Sequence, residues 1–325
     1  MYIRKIENSK CINIIFTLSE FLLSEIIGLI LDSVNMEKIP IYSDGEKTFI
    51  KIANKTYRYC RNNSQGDDLQ DLVILESPLN TSLGVWNSFN TPNNLTELVF
   101  PSYVISIACG EQHGIAILSD NTVNIWGHPL FGYKTTPQKL PLKDIISVDC
   151  GCFYTMFLDK NNEVWVHGSN LAGQLGVGHK NDIDIPQKLN LQGITSISCG
   201  WEHVLFLDQN NKMWGCGDGA NGELGLNMYC EQLIPAISTL DNIVSMQSGV
   251  DWSIALDKYG EIWSFGNVGT DDHTQHCIPQ KIIPLHNVVA IWANGYNIIA
   301  KTSNNEYYTW AHLEIIPKLI HINNF

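Results

Sequence analysis

The side chains best equipped for chemistry sit in short turns that recur along the chain. His113 follows Gly110 in CGEQHGIAIL and His203 follows Gly200 in CGWEHVLFL, with a carboxylate (Glu111, Glu202) between glycine and histidine each time. Imidazole beside carboxylate is the pairing of general acid–base catalysis, which also needs a nucleophile or a substrate group within reach. No nucleophile or base partner accompanies either histidine, so the expected role of each is to tie neighbouring strands by hydrogen bonding. The loop Asp271-Asp272-His273-Thr274-Gln275-His276-Cys277 has ligand types at H-x-x-H-C spacing. A polar loop needs no metal, however, and no distant ligand set is evident. There is no G-x-S-x-G elbow, no G-x-x-x-x-G-K-[ST] phosphate loop and no H-E-x-x-H. Gly215-Cys216-Gly217-Asp218-Gly219 reads as turn glycines, because no helical pattern follows it. The expectation is a non-enzymatic protein with no catalytic residue, no metal and no cofactor.

Composition narrows the partners. The 325 residues carry Lys+Arg 20 against Asp+Glu 33, a formal net charge of -13, and the only arginines are Arg4, Arg58 and Arg61. Binding to phosphate backbones needs clustered basic residues, so nucleic acid is disfavoured and a protein partner is expected. Of nine cysteines, Cys109, Cys150 and Cys199 each end an apolar run just before a glycine. That is the behaviour of a small buried hydrophobe, and it suits a reducing compartment. The expected location is the cytoplasm, with the nucleus open. Scarce Arg with frequent Asn and Ile hints at an AT-rich genome; for a virus or an intracellular bacterium the compartment would be the host cell.

The turns must be positioned by something, and a repeat does it. With Gly200 as anchor, the equivalents are Gly110, Gly151, Gly249 and Asn294, spaced 41, 49, 49 and 45 residues apart. Fourteen residues after the anchor come Trp165, Trp214, Trp263 and Tyr308; the unit at Gly110 has Asn124 there and Trp126 two positions on. Seventeen residues after the anchor lie Gly127, Gly168, Gly217, Gly266 and Ala311. The most complete unit, Ile194 to Leu240, reads as four strands: a run ending at Cys199, an all-apolar run, a third holding Trp214, and a last one opened by Pro235. Pro137, Pro186 and Pro279 mark the same strand entrance in other units. A degraded copy from about Ile41 to Phe100 brings the count to six, its halves separated by an insertion around Asn62 to Asn80.

A four-strand unit of this length without helical periodicity is the signature of a β-propeller blade. The predicted fold is all-β, a propeller of six to seven four-stranded blades over residues 41–325. The repeated Trp is expected to fill the gap between blades. Residues 1–40 stand apart as a short helical N-terminal extension. Cys11 to Val34 is strongly apolar, but Asn13, Thr17, Glu20 and Ser24 fall on one helical stripe, so an amphipathic helix is expected and a membrane span disfavoured. Ring closure normally joins both termini in one blade; Tyr2 to Ile6 or Ile39 to Tyr42 are available to complete the sheet of Ile315 to Ile322.

CGWEHVLFLDQNNKMWGCG, SNLAGQLGVG and CGEQHGIAILSDNTVNIWG resemble the regulator-of-chromosome-condensation repeat family. Its founding member, as the resemblance implies, presents one propeller face to a Ran-type small GTPase and catalyses nucleotide exchange, with acidic and histidine contacts in the turn after the anchor glycine. Carried over by position, the partner-binding candidates are Glu111, Gln112, Tyr154, Trp201, Glu202, His203, Asp251 and Trp252. Trp201, Trp252 and Trp292 also raise the aromatic face of the family's plant ultraviolet receptor, although three scattered Trp fit ordinary packing. The leading functional expectation is a protein–protein interaction propeller. The alternatives are a guanine-nucleotide exchange factor for a Ran-like GTPase and the substrate-recognition adaptor of a larger complex such as a ubiquitin ligase.

Overall fold

A computed structural model describes the strands from Ile41 onward and most side chains from Val99 to Leu319. Residues 1–40, the connections before Leu95, and residues 111–112, 128–133, 269–275, 283–284, 295–296, 312–316 and 321–325 lie outside the described residues, so the expected N-terminal helix is not among them.

The strands form six four-stranded sheets and one two-stranded sheet. Blade I is β1 (Ile41–Ser43), β2 (Lys47–Ile52), β3 (Lys55–Cys60) and β4 (Val73–Ile74). A separate hairpin, β5 (Ser82–Trp86) and β6 (Leu95–Val99), follows. Blade II is β7 (Val104–Cys109), β8 (His113–Leu118), β9 (Val123–Gly127) and β10 (Lys134–Lys139). Blade III is β11 (Ile145–Cys150), β12 (Tyr154–Asp159), β13 (Glu163–Gly168) and β14 (Ile183–Gln192). Blade IV is β15 (Ile194–Cys199), β16 (His203–Asp208), β17 (Met213–Gly217) and β18 (Gln232–Ile237). Blade V is β19 (Ile243–Ser248), β20 (Trp252–Asp257), β21 (Ile262–Gly266) and β22 (His276–Lys281). Blade VI is β23 (Val288–Asn294), β24 (Asn297–Thr302), β25 (Tyr307–Ala311) and β26 (Lys318–Ile320). Every described strand pair is antiparallel, and each sheet uses consecutive strands. The first strands of successive blades II to VI lie side by side, and β1 lies beside β23.

Burial explains the sequence pattern. The second strands β8, β12, β16 and β20 are buried at every position, because both faces of each are covered by neighbouring blades. That is why those runs are mostly apolar rather than alternating. The core is a series of inter-blade clusters: Ile115, Ile125, Ile145 and Phe157 between II and III; Tyr154, Met156, Val204 and Phe206 between III and IV; Leu205, Met213, Ile243 and Phe265 between IV and V; Trp252, Ile254, Ile291 and Trp310 between V and VI.

Three expectations change. Pro137, Pro186, Pro235 and Pro279 are each the fourth residue of their strand, not its entrance. Each sits on the outermost strand, between paired residues where the register shifts, the other place where a missing N–H costs no ladder bond. In blade I the outer position is taken by β4, while Ser82–Trp86, expected to continue that blade, pairs with β6. Ile41–Ser43 pairs with β2 and does not complete the last sheet, where β26 pairs with β25.

Candidate protein-interaction site

The anchor glycines open the turn between the first and second strands of blades II to V. A Cβ on Gly200 would lie 2.1 Å from His203 Cε1 and 2.7 Å from the carbonyl oxygen of Gly249. The close approach is that of an aromatic ring folded over the turn and of the next blade's backbone. Gly110, Gly151 and Gly249 meet His113, Tyr154 and Trp252 in the same way. A hydrogen bond from the anchor N–H to the carbonyl three residues on closes each turn (Gly200 to His203, 2.8 Å). The turns are also joined across blades: the N–H of Cys152 donates to Trp201 O at 3.1 Å, and the N–H of Trp201 donates to Gly249 O at 3.2 Å.

The third residue after the anchor always points inward. His113 Nε2 is 2.9 Å from Thr155 Oγ1 and His203 Nε2 is 2.9 Å from Ser253 Oγ, each reaching the next blade. Tyr154 does the same job with its hydroxyl, donating to Gly200 O at 2.9 Å and His203 O at 2.6 Å. Trp252 is wholly buried in the cluster between blades V and VI. Burial pushes His203 down to about 3, so it stays neutral through the physiological range. The histidines thus tie not merely strands but blades, and Tyr154, His203 and Trp252 are withdrawn from any surface contact made by the folded ring. Trp201, Trp252 and Trp292 make no common aromatic face, because Trp252 is core.

The first and second residues after the anchor are less buried than the third, except Cys152, which is buried. Phe153, Trp201, Glu202, Val250 and Asp251 are all half-buried, whereas Glu111 and Gln112 lie outside the described residues. Asp251 Oδ2 accepts a hydrogen bond from Asn267 Nδ2 at 2.8 Å. Asp218, whose N–H donates to Glu202 O at 2.9 Å, adds a charge that the repeat columns alone did not single out. Partial burial first, then the Asp218 carboxylate, raises Glu202. Glu223 is buried in the glycine-rich loop and pushed up to about 7, by burial first and with Asp218 contributing. Gln174 occupies the same place in blade III: its Oε1 accepts the Ala172 N–H at 2.9 Å, as Glu223 Oε2 accepts that of Asn221 at 2.8 Å. The anchor face is therefore aromatic and acidic around blades III to V, and no group of metal-ligating side chains forms among the described residues.

The Trp column belongs to the opposite ends of the blades. Trp165, Trp214 and Trp263 are half-buried against the inter-blade clusters. Their indole N–H groups donate to Asp159, Asp208 and Asp257 at 3.1, 3.1 and 3.0 Å. The other carboxylate oxygen of each Asp accepts two N–H groups of the hairpin turn (for Asp208, those of Asn210 and Lys212). Blade II has Leu118 and Asn124 at these two places, lacking both partners together. Trp126 is not a displaced copy: it shares a column with His167, Cys216, Phe265 and Trp310, all buried.

Comparison with known proteins agrees with this architecture. Models of the regulator of chromosome condensation (RCC1) repeat match residues 104–132, 161–207 and 194–223. Those stretches, in blades II to IV, match RCC1-type repeats, and the chain folds as a β-propeller similar to those of RCC1-type structures. Among similar proteins are the human probable E3 ubiquitin-protein ligase HERC6, 33% identical over 84 residues (22% of this chain, 8% of HERC6), and the Arabidopsis thaliana ultraviolet-B receptor UVR8, 31% identical over 97 residues (26% of this chain, 22% of UVR8). The aligned stretches thus span under a quarter of either relative. Among solved structures, Prp20p of Saccharomyces cerevisiae superposes with TM-score 0.66 at 17% identity over 90% of this chain and 78% of that one. Human WBSCR16 gives 0.69 at 15% identity, covering 89% and 83%. No helix among the described residues is long and apolar enough to cross a membrane.

Proposed function

We propose that this protein is a non-enzymatic interaction propeller that binds a protein partner through the turns following its anchor glycines. The observation that carries this is a contrast within each turn. In blades III to V the turns are held by the same backbone bonds and the third side chain is buried as cement, while Phe153, Trp201, Glu202, Val250 and Asp251 differ from blade to blade and are only half-buried. Phe153, Trp201 and Val250 supply the apolar contact, and Glu202, Asp218 and Asp251 supply negative charge for a basic partner surface. Aromatic anchors rimmed by charge are the usual composition of an interface centre. The test is binding by the full chain: Glu202→Lys should weaken partner capture several-fold and reduce its salt sensitivity, and unchanged capture would mean that another face is used.

The second reading is guanine-nucleotide exchange on a Ran-like small GTPase. It is favoured by the likeness to Prp20p, a protein with binding properties to Gsp1p and histones. Release of labelled GDP from a panel of small GTPases separates the readings: acceleration at substoichiometric protein supports exchange, and none across the panel leaves simple binding. The match to a ubiquitin ligase keeps a third, substrate selection within a larger complex, which predicts ligase subunits among the co-purifying proteins.

A further inference from the structure

At two of the joints the innermost strands are clipped together by side chains, and the clips differ. At the joint of blades III and IV, Asp149 on β11 accepts its neighbour Cys150's N–H on Oδ1 at 3.0 Å and the N–H of Cys199 on β15 on Oδ2 at 2.8 Å. At the joint of blades IV and V the same place belongs to Ser198. Its Oγ accepts the Ser248 N–H at 2.9 Å, and Ser248 Oγ donates back to Ser198 O at 3.2 Å. One joint is closed by a carboxyl group, the next by a pair of hydroxyls that do not titrate.

The surroundings of Asp149 decide how that difference acts. No cation pairs with it among the described residues; the ionisable groups that face it are Tyr154 on β12 and Cys199 on β15, and Cys150 meets it through its backbone N–H. Burial first, then neighbouring weak acids including Asp149, pushes Tyr154 and Cys199 well up, so both stay neutral around pH 7. Two N–H donors favour the carboxylate, but desolvation without a counter-charge opposes it more strongly, and Asp149 is pushed up to about 7. Asp149 is half-buried in the closed joint; when the joint opens and the carboxyl is fully hydrated, the ordinary value near 3.8 returns. The closed joint therefore binds the proton more tightly than the open one between those values, and closure is favoured as pH falls through that window.

We propose that the joint between blades III and IV is proton-sensitive, closing on a neutral Asp149 and loosening when its carboxyl ionises, while the Ser198 joint beside it does not respond. The Cys152–Trp201 backbone bond crosses the same joint, so the spacing of the Phe153 and Trp201 turns follows the proton; that consequence rests on the proposed partner face, whereas the joint itself does not.

Hydrogen–deuterium exchange of the full chain, corrected for intrinsic pH dependence, tests it without any partner. Protection of the Cys199 amide should fall about ten-fold from pH 6 to pH 8.5 while that of Ser248 stays level, and Asp149→Asn should flatten the Cys199 profile. Parallel profiles for the two amides in the unmodified protein, or a Cys199 profile that survives in Asp149→Asn, would overturn the proposal. Should that variant fail to fold, the Cys199–Ser248 comparison decides alone.

Discussion

The two ends of each blade obey different rules. At the hairpin end of blades III, IV and V one arrangement is built three times: Asp159, Asp208 and Asp257 each cap a turn with one oxygen and hold a tryptophan N–H with the other. At the anchor end the backbone is just as constant, but it carries half-buried Phe153, Trp201-Glu202 and Val250-Asp251 on the same frame. Uniform side chains on a uniform backbone are what packing alone requires. Varied side chains on a uniform backbone mark positions the fold leaves free, and in a repeat scaffold function resides in such grafted positions.

Substitutions at the two ends should therefore separate stability from binding. The largest effect is expected where the anchor backbone meets its ring. Gly200→Val places side-chain atoms inside contact distance of His203 and of Gly249 O, and should cost more than about 4 kcal/mol or prevent folding, read by chemical denaturation. At the hairpin end Trp214→Ala should cost about 2–4 kcal/mol, toward the lower side for an aromatic truncation because the ring is half-buried. Asp208→Ala removes the acceptor of three N–H donors and should cost about 2 kcal/mol, with a coupling of about 1 kcal/mol to Trp214 in a double-mutant cycle. Additive losses would show that the tryptophan and the turn do not act as one unit.

A pH effect comes next. The folded Glu223 carboxyl is raised above its ordinary 4.5 to about 7, so it contributes stability that is fully present below pH 4.5 and lost as pH rises through about 7. Glu223→Gln gives this loop the side chain of Gln174, keeps an acceptor for the Asn221 N–H, and should flatten thermal stability over that window. At pH 8 a gain on the order of 2 kcal/mol is expected. A variant no more stable at pH 8 than the parent would show that the parent carboxylate is already solvated. The smallest stability change, within about 0.5 kcal/mol, belongs to Trp201→Ala and Glu202→Lys at the anchor end.

Much of the fold was legible because blades are short-range objects. Anchor glycines, fourteen-residue tryptophans and apolar second strands follow from contacts that recur in every unit, so five sister turns report on one another. What escaped notice was what crosses between units. Position alone suggested that His203, Tyr154 and Trp252 belong to a surface turn, but whether a side chain leaves or enters a joint depends on the neighbouring blade. Ser253 for His203, or the carbonyls of Gly200 and His203 for Tyr154, lie nearly 50 residues away. The Asp column is visible in LDKNNEVW, LDQNNKMW and LDKYGEIW, but its bond to the indole six residues on is a cross-strand contact that spacing alone does not show. Pro235 misled for a related reason: a strand-edge residue and a register shift on an outer strand satisfy the same missing N–H.

The central claim is that the variable anchor-end side chains carry the binding. It is tested most directly by quantitative co-purification of the full chain against the Trp201→Ala/Glu202→Lys variant, with thermal stability measured in parallel. Proteins enriched with the parent should fall at least about five-fold with the variant while the melting temperature stays within about two degrees. Retention of the same proteins at the same level by an equally stable variant would contradict the account.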